Sequence, residues 1–475
     1  MKKSYSQTKI VATLGPATSS REVITNLIQE GVDVFRLNFS HSSQQEHLKM
    51  FHLIKELNIE LNTHIAILAD LQGPKLRVGE IENNRIDLLE GEIITFVNQK
   101  CIGTKAAIYM SYKEFSRDVN VGEFILIDDG KLKLEVVETN KKDTVKARVI
   151  YGGPLSSKKG VNLPNTKVSL PCLTHEDILN ANFALDNDVD WIALSFVRKA
   201  SDILELKALI KQKNGHAGVI AKIEKPEALD EIDEIIEVTD GVMVARGDLG
   251  VEVSFDRVPM IQKLIVEKCI AKAKPVIIAT QMLESMMVNF TPTRAEANDV
   301  ANAVLDGADA LMLSGETSIG RYPVQTIRSM QRIINYTEIH GNIFNKQYFP
   351  VIDSPTFLAE TICFNAVLLT QQTGAKAIIA ISNSGHTVYR LASHRPGASV
   401  FAFTNNKKLL QKLSLVWGVS AFYVESYETI NDVHLESIKT LKMNHLIEDG
   451  DTVIHIGSIP INQLGSANMI KVTQV

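Results

Sequence analysis

Apolar positions along the chain follow two rhythms. Short unbroken apolar runs of strand length alternate with longer segments of helical period, the pattern of buried parallel strands and amphipathic helices. Thr8–Thr13 reads as a strand, Ser20–Gln29 as a helix, Val32–Asn38 as a strand, a helix follows from Ser43, and Ile65–Leu71 is a strand ending in the turn signal Gln72-Gly73-Pro74. From about Lys75 to Lys167 the pieces become short and β-rich: Arg85–Leu89, Ile93–Asn98, Phe124–Ile127, Lys131–Glu138 and Thr144–Ile150, with Gly, Asp and Asn between them and no long amphipathic helix.

After Pro171 the first rhythm resumes. Thr174 is placed to cap a helix to Asp186, strands are expected at Trp191–Phe196, Val219–Ile223, Gly241–Ala245, Pro275–Ala279 and Ala310–Leu313, and helices such as Ser201–Lys213 and Pro259–Ala273 lie between them, the last near Pro323–Ile339. Three strands before the interruption and five after it give the eight β/α units of a TIM barrel; a doubly wound sheet is the other architecture of this rhythm, and the count of eight with polar residues at many strand ends favours the barrel. From Ile343 a third unit begins, with a helix near Pro355–Gln372, a strand at Ala377–Ile381 and two closing strands at Thr452–Ile456 and Asn468–Thr473. The expected fold is α/β: a TIM (β/α)8 barrel in two parts, 1–72 and 170–342, an inserted all-β lid domain at 73–169, and a C-terminal α/β domain at 343–475. No internal repeat beyond the β/α rhythm is visible.

Composition narrows the function. The 475 residues carry a formal net charge of −5 with both signs interspersed, which gives no basic stripe for nucleic acid, so any anionic substrate needs local Lys, Arg or metal. The four cysteines, Cys101, Cys172, Cys269 and Cys363, are far apart and lack metal-ligand spacing, and read as small buried hydrophobes. The opening Met1-Lys2-Lys3-Ser4-Tyr5 leads into a short strand rather than a signal core, and no run reaches the ~18 apolar residues of a membrane span, so a soluble cytoplasmic protein with no membrane partner is expected.

In a TIM barrel the carboxyl ends of the strands build the site. The second strand places Arg36, Asn38 and Ser40 on one face, costly in an apolar core and suited to a mouth that binds ions. Asp70 ends the third strand, where a lone Asp is often only a cap. Lys222 and Glu224 share a face of the fifth strand, either as a structural ion pair or as a cationic group beside a metal carboxylate. After the sixth strand, Gly247 and Gly250 permit close approach of backbone N–H groups to an anion, and Asp248 adds a second hard oxygen ligand; a pair of carboxylates completed by water and substrate oxygens suits Mg²⁺. Thr280, after the seventh strand, either bonds a substrate or relays a proton, or caps the next helix. Ser314, Gly315 and Glu316 end the eighth. With no Ser–His–Asp or Cys–His arrangement, no Walker A sequence and no GxGxxG after a strand, the set fits phosphoryl transfer, where positioning and charge stabilisation do most of the catalysis.

These residues resemble a known family. Val219-Ile220-Ala221-Lys222-Ile223-Glu224, Met243-Val244-Ala245-Arg246-Gly247-Asp248-Leu249-Gly250, Ala279-Thr280-Gln281-Met282-Leu283-Glu284-Ser285, Thr293-Arg294-Ala295-Glu296 and Met312-Leu313-Ser314-Gly315-Glu316-Thr317, in that order, are similar to the blocks of the pyruvate kinases, and the likeness covers nearly the whole chain. The resemblance implies transfer of the phosphoryl group of phosphoenolpyruvate to ADP, giving pyruvate and ATP. It implies Lys222 for the transferring phosphoryl group and the enolate, and Glu224 and Asp248 for Mg²⁺, with Mn²⁺ as a substitute. It implies Gly247, Asp248 and Thr280 for the substrate carboxylate, Thr280 and Ser314 near the protonation of the enol, and Arg36 on the phosphoryl group. Asn38, Ser40, His41, Arg77 and Lys159 then surround the nucleotide or the cation site, with the insertion as a lid hinged near 72–74 and 170–171. It also implies a homotetramer, with Arg294 reaching a neighbouring subunit.

Two details depart from the family's better-known pattern. Asn38, Ser40, Asp70 and the next residue hold K⁺ in many members, with a Glu nearby; here Leu71 follows Asp70 and the Glu position carries Lys75, which resembles the K⁺-independent group, a tethered ammonium replacing the ion. In the C-terminal domain, Ser382-Asn383-Ser384-Gly385-His386-Thr387 resembles the family's effector loop and stands where a helix N-terminus can cradle phosphate. The last loop, Gly457–Asn468, lacks the Trp and Arg of members that answer to fructose bisphosphate, so a monophosphate such as AMP or a sugar monophosphate is the expected effector. Two other functions share parts of the pattern. A Mg²⁺-dependent aldolase-type lyase on pyruvate enolate shares the carboxylate pair but leaves the insertion, Lys159 and Arg77 without a role. A non-catalytic regulatory protein on this scaffold does not account for an intact Lys222, Glu224 and Asp248.

Overall fold

The computed structural model describes residues 6–345, 348–352, 354, 356–425, 429–459 and 467–475. The Met1–Tyr5 start, Pro355 at the head of the expected C-terminal helix, and residues 460–466 of the last loop lie outside the described residues.

Eight parallel strands close into a barrel: β1 (Lys9–Thr13), β2 (Val34–Asn38), β3 (Ala66–Asp70), β4 (Trp191–Leu194), β5 (Gly218–Ile223), β6 (Gly241–Ala245), β7 (Val276–Ala279) and β8 (Ala310–Leu313), with β1 pairing β8 to complete the ring. All eight expected strands are present, each within two residues of its reading. The helices between them begin and end on local signals. Ser20, Ser43, Thr174 and Thr293 cap their helices by accepting from the amide three residues on, and Gly31 and Gly307 end two of them with a positive φ. Outward-facing strand residues such as Phe35, Leu37, Ala221, Ile223, Val242 and Val244 join the helices in the main core. Inward-facing Val11, Val34, Leu68, Trp191, Ile220, Met243, Ile277 and Met312 fill the barrel, joined by Leu415 from the C-terminal domain. Among the described residues no helix is long and apolar enough to cross a membrane.

Four aspartates, Asp33, Asp190, Asp240 and Asp309, sit immediately before β2, β4, β6 and β8 at the floor of the barrel. Each clamps one residue of the preceding strand from both sides. Its carboxylate accepts that residue's amide, from Ile10 (2.8 Å), Ile67 (2.8 Å), Val219 (2.9 Å) and Val276 (3.1 Å). Its own amide donates to the same residue's carbonyl. Hidden in the β/α rhythm, this repeat divides the barrel into four two-strand quarters.

Between β3 and β4 the chain makes a seven-stranded sheet, a two-stranded ribbon, a 3-10 turn at Glu82–Asn84 and a short α-helix, Phe115–Asp118, around its own apolar core. The short strands Leu76–Arg77, Ile108–Tyr109, Gly153–Leu155 and Gly160–Asn162 add to those the pattern predicts. Entry is through Gly73, whose φ of +69° favours glycine and where a Cβ would stand 2.8 Å from the Phe196 ring. The C-terminal domain is a five-stranded sheet, parallel except for its last strand, Met469–Gln474, with apolar clusters on both faces.

Candidate active site

At the carboxyl end of the barrel the inward-facing alternation stops being apolar. Val34, Leu68 and Ile220 are followed two residues later on the same faces by Arg36, Asp70 and Lys222. Lys222 and Arg36 are 9% exposed, Asp70 and Glu224 1%. Burying four charges is tolerable only if they satisfy one another, and they do. Arg36 Nε donates to Asp70 Oδ2 at 2.7 Å, Lys222 Nζ lies 3.1 Å from Asp70 Oδ1 and 2.9 Å from Glu224 Oε1, and Glu224 Oε2 accepts the Phe196 amide at 2.8 Å. Two residues not expected from sequence complete the set. Ser195 Oγ accepts from Lys222 Nζ (2.7 Å) and donates to the Leu71 carbonyl (2.6 Å), and Thr13 Oγ1 accepts from Arg36 (3.0 Å) while donating to Leu313 O (2.8 Å). Period two from Trp191 and Val11 marks both as inward-facing; only their small size hid them.

Burial pushes the Asp70 carboxyl up, but the charges of Lys222 and Arg36 outweigh it and hold the group below the usual carboxylate range. Burial acts against the Lys222 ammonium, and Asp70 and Glu224 overcome it, so its pKa is raised. Glu224 goes the other way: burial and the negative charge of Asp248 raise it despite Lys222. A divalent cation relieves both causes. The two hard carboxylates fit Mg²⁺, which keeps much of its coordination for water and substrate oxygens. Among the described residues no group of three or more His, Cys, Asp and Glu is placed to enclose a metal ion.

After β6 a short helix, Arg246–Glu252, carries Asp248 at its first turn, a helix the glycines at 247 and 250 disguise in the sequence. Gly247 N donates to Thr280 Oγ1 at 2.7 Å, and Thr280 Oγ1 donates to Ala279 O at 2.6 Å. Thr280 and Gln281 have φ of +71° and +55°, a conformation that costs a β-branched residue about 1–3 kcal/mol. Arg246 holds the turn, donating to the Thr280 carbonyl (2.8 Å) while paired with Asp299 (2.7 Å). Thr280 is therefore turned inward rather than capping a helix. Beside it Ser314 is half-buried, its amide donating to Glu316 (2.8 Å).

The remaining candidates lie around the rim. Asn38 Oδ1 accepts the Ser40 amide (3.0 Å), and Leu71 is buried with its amide on Ala193 O (3.0 Å). Exposed His41 has its pKa lowered by partial burial and by the charges of Lys75, Arg77 and Arg36, so the rim is electropositive. Lys75 is exposed and makes no ion pair among the described residues. It lines, with Gly160, Asn162, Phe196, Arg198, Lys225 and Asp248, a small open cleft between barrel and inserted sheet. Arg77 donates to Lys158 O (3.0 Å), and Lys159 is paired with Asp128 (2.9 Å) inside the inserted domain. The loop 382–387 is far along the chain in the C-terminal domain, and its hydroxyls already serve its own backbone. Ser382 Oγ accepts the Gly385 amide (3.0 Å), Ser384 Oγ the His386 amide (3.5 Å), and Asn383 O a bond from Asn406 (3.2 Å). Thr387 is buried in the first turn of the helix His386–Ser393.

Comparison with known proteins agrees with this geometry. Residues 5–327 match the family model of the pyruvate kinase barrel domain, and 360–473 that of the pyruvate kinase alpha/beta domain. The chain is 40% identical to a pyruvate kinase of Agrobacterium vitis, across 99% of both, and 40% identical to one of Geobacillus stearothermophilus, across 98% of this chain and 80% of that protein. It superposes on the crystal structure of a pyruvate kinase from Cryptosporidium parvum with a TM-score of 0.92 at 32% identity, covering 99% of this chain and 96% of that one. The chain belongs to the pyruvate kinase family.

Proposed function

We propose that the chain transfers the phosphoryl group of phosphoenolpyruvate to ADP, giving pyruvate and ATP, the last step of glycolysis. The observation that carries this reading is the buried, mutually satisfied set Arg36, Asp70, Lys222 and Glu224 at the barrel mouth of a pyruvate kinase family member. In this reaction the bond between phosphorus and the enol oxygen breaks and the phosphoryl group passes to a terminal oxygen of ADP. The enolate left behind takes a proton at its methylene carbon.

Lys222, kept charged by Asp70 and Glu224, stabilises the transferring group and the enolate oxygen where negative charge develops. Arg36, oriented by Asp70 and Thr13, contacts the phosphoryl group. The amides of Gly247 and Asp248 hold the substrate carboxylate with Thr280, the substrate replacing the Thr280–Gly247 hydrogen bond. Thr280 and Ser314 stand where the enolate is protonated through water. Glu224 and Asp248 hold Mg²⁺, with Mn²⁺ as a substitute, and the bound ion supplies charge neutralisation for the reacting oxygens. Asn38, His41, Arg77 and Lys159 meet the nucleotide, Lys159 exchanging Asp128 for phosphate. The inserted domain, 73–169, is the lid that closes over the nucleotide and excludes water.

Lys75 takes the place of K⁺ beside Asn38, Ser40, Asp70 and Leu71, on the strength of the family resemblance and of an exposed ammonium that has no ion pair among the described residues. The loop Ser382–Thr387 receives the phosphate of a monophosphate effector, and the protein works in the cytoplasm as a homotetramer, both on the strength of the family resemblance. The test is pyruvate formation from phosphoenolpyruvate and ADP with Mg²⁺, followed with and without K⁺ by a K⁺-independent detection. Similar turnover in both buffers is expected, with Lys75→Glu losing about tenfold without K⁺ and regaining it with K⁺. Wild-type turnover only with K⁺ sinks the role of Lys75, and no turnover in either buffer sinks the phosphotransfer reading.

A further inference from the structure

Glu252 closes the short helix that carries Asp248, and its side chain is fully buried. A carboxylate in that position needs partners, and its Oε1 has two: Lys225 Nζ at 2.6 Å and Asn162 Nδ2 at 2.8 Å. The partners come from different bodies. Lys225 follows Glu224 directly at the end of β5, while Asn162 ends the strand Gly160–Asn162 of the inserted sheet, which pairs with Leu76–Arg77 and begins just after Lys159. Asn162 thus ties the inserted sheet to the barrel across the cleft, close to the first hinge segment, because its strand pairs with Leu76–Arg77. The same cleft is lined by Lys75, Asn162, Lys225 and Asp248, and Lys225 Nζ stands 5.9 Å from the centre of the Phe196 ring, whose residue donates its amide to Glu224. Glu252 Oε2 has no donor among the described residues, so the carboxylate depends on the two bonds at Oε1.

We propose that Glu252 is a positioning residue, a latch whose hydrogen bond from Asn162 holds the inserted domain closed over the cleft and whose ion pair holds Lys225 against that cleft. When the domain lifts, Asn162 leaves and the carboxylate keeps only Lys225 and water. Closure over the nucleoside diphosphate is therefore favoured by a charge-assisted hydrogen bond that touches neither substrate. The inference rests on the phosphotransfer reading for its kinetic consequence and on the geometry alone for its structural one.

Steady-state kinetics of Asn162→Ala, Asn162→Asp, Glu252→Gln and the double variant N162D/E252Q test it. N162A is expected to raise the KM for ADP roughly tenfold, the loss of one charge-assisted hydrogen bond, with kcat and the KM for phosphoenolpyruvate little changed. N162D sets two carboxylates face to face and raises it further. In N162D/E252Q the bond re-forms with donor and acceptor exchanged and Lys225 keeps one carboxylate, so the KM returns toward the wild type. Unchanged KM in N162A and N162D, or no rescue in the double variant, overturns the latch. Amide hydrogen exchange of the inserted sheet, measured on the full chain without substrates, decides the structural claim separately. Faster exchange near Gly160–Asn162 in N162D, reversed in the double variant, supports it even if the wild type shows no turnover, and identical exchange in all variants overturns it.

Discussion

The mouth and the floor of the barrel hold charged residues of the same kinds, all buried at the mouth but among the floor aspartates only Asp190 and Asp309, and put them to opposite uses. At the floor each aspartate spends its carboxylate on a backbone amide of the preceding strand, and three of the four also meet a cation: Lys9 at 3.7 Å, Lys207 at 2.7 Å and Arg395 at 2.9 Å. The four sites are separate, and each is finished by the chain itself. At the mouth, Arg36, Asp70, Lys222 and Glu224 bind mainly one another through side chains, and Glu224 keeps a raised pKa that calls for a cation. A buried charge fixed to backbone is architecture. A buried charge fixed to other side chains, with its electrostatics still unbalanced, is a site waiting for a ligand.

Substitutions sharpen the contrast. Lys222→Met is expected to lower turnover by about 10³-fold or more while circular dichroism shows the fold intact, because the lost charge is one the transition state uses. Asp309→Ala is the opposite case. It leaves Arg395, 1% exposed and stacked beside Trp417, without its carboxylate, and should cost about 3–5 kcal/mol in denaturant unfolding with kcat at low temperature little changed. A large drop in kcat at low temperature in the folded Asp309 variant breaks the division between the two ends.

The smallest effect concerns Asp190, which has no direct ion pair among the described residues. Burial pushes its carboxyl up to about 7, against the Ile67 amide and the more distant Lys412, Lys55 and Lys408. The folded state therefore holds a proton that the unfolded chain has released above about pH 4, so this group's contribution to stability falls as pH rises from about 4 through 7. Asp190→Asn keeps an acceptor for Ile67 and removes the titration. Its stability relative to the wild type should be higher at pH 8 than at pH 5, and equal differences at both pH values contradict the account.

The mouth was more legible in the sequence than the floor, for a physical reason. Arg36 and Lys222 interrupt apolar strands, where a charge is conspicuous, and Glu224 shares a face with Lys222, whereas Asp70 ends its strand and by itself resembled a cap; Asp33, Asp190, Asp240 and Asp309 stand just outside the strands, where an Asp resembles any turn residue. Strands and capped helices were readable because their signals are local, as Thr174 and Asp177 illustrate with a reciprocal cap. What local pattern could not carry was partnership. Ser195 and Thr13 look like ordinary small residues until Lys222 and Arg36 reach them across neighbouring strands. The helix after β6 was concealed by Gly247 and Gly250, residues of poor helix propensity, the first of them lying where the chain passes close to Thr280.

The four floor clamps also set an order on how the chain assembles. Those of Asp33, Asp240 and Asp309 join residues 23, 21 and 33 apart in sequence, whereas Asp190 reaches Ile67 across 123 residues, because the inserted domain is threaded through that quarter. Closing the longer loop costs about 1.5 kcal/mol more chain entropy than closing the Asp33 loop if the segment between is unstructured, and less once it has collapsed onto its own core. Three quarters of the barrel can zip from neighbouring segments. The β3–β4 clamp is the one that gains from a preformed inserted sheet, which brings its two ends together, while the ring itself closes through the β1–β8 pairing of Lys9 with Ala310.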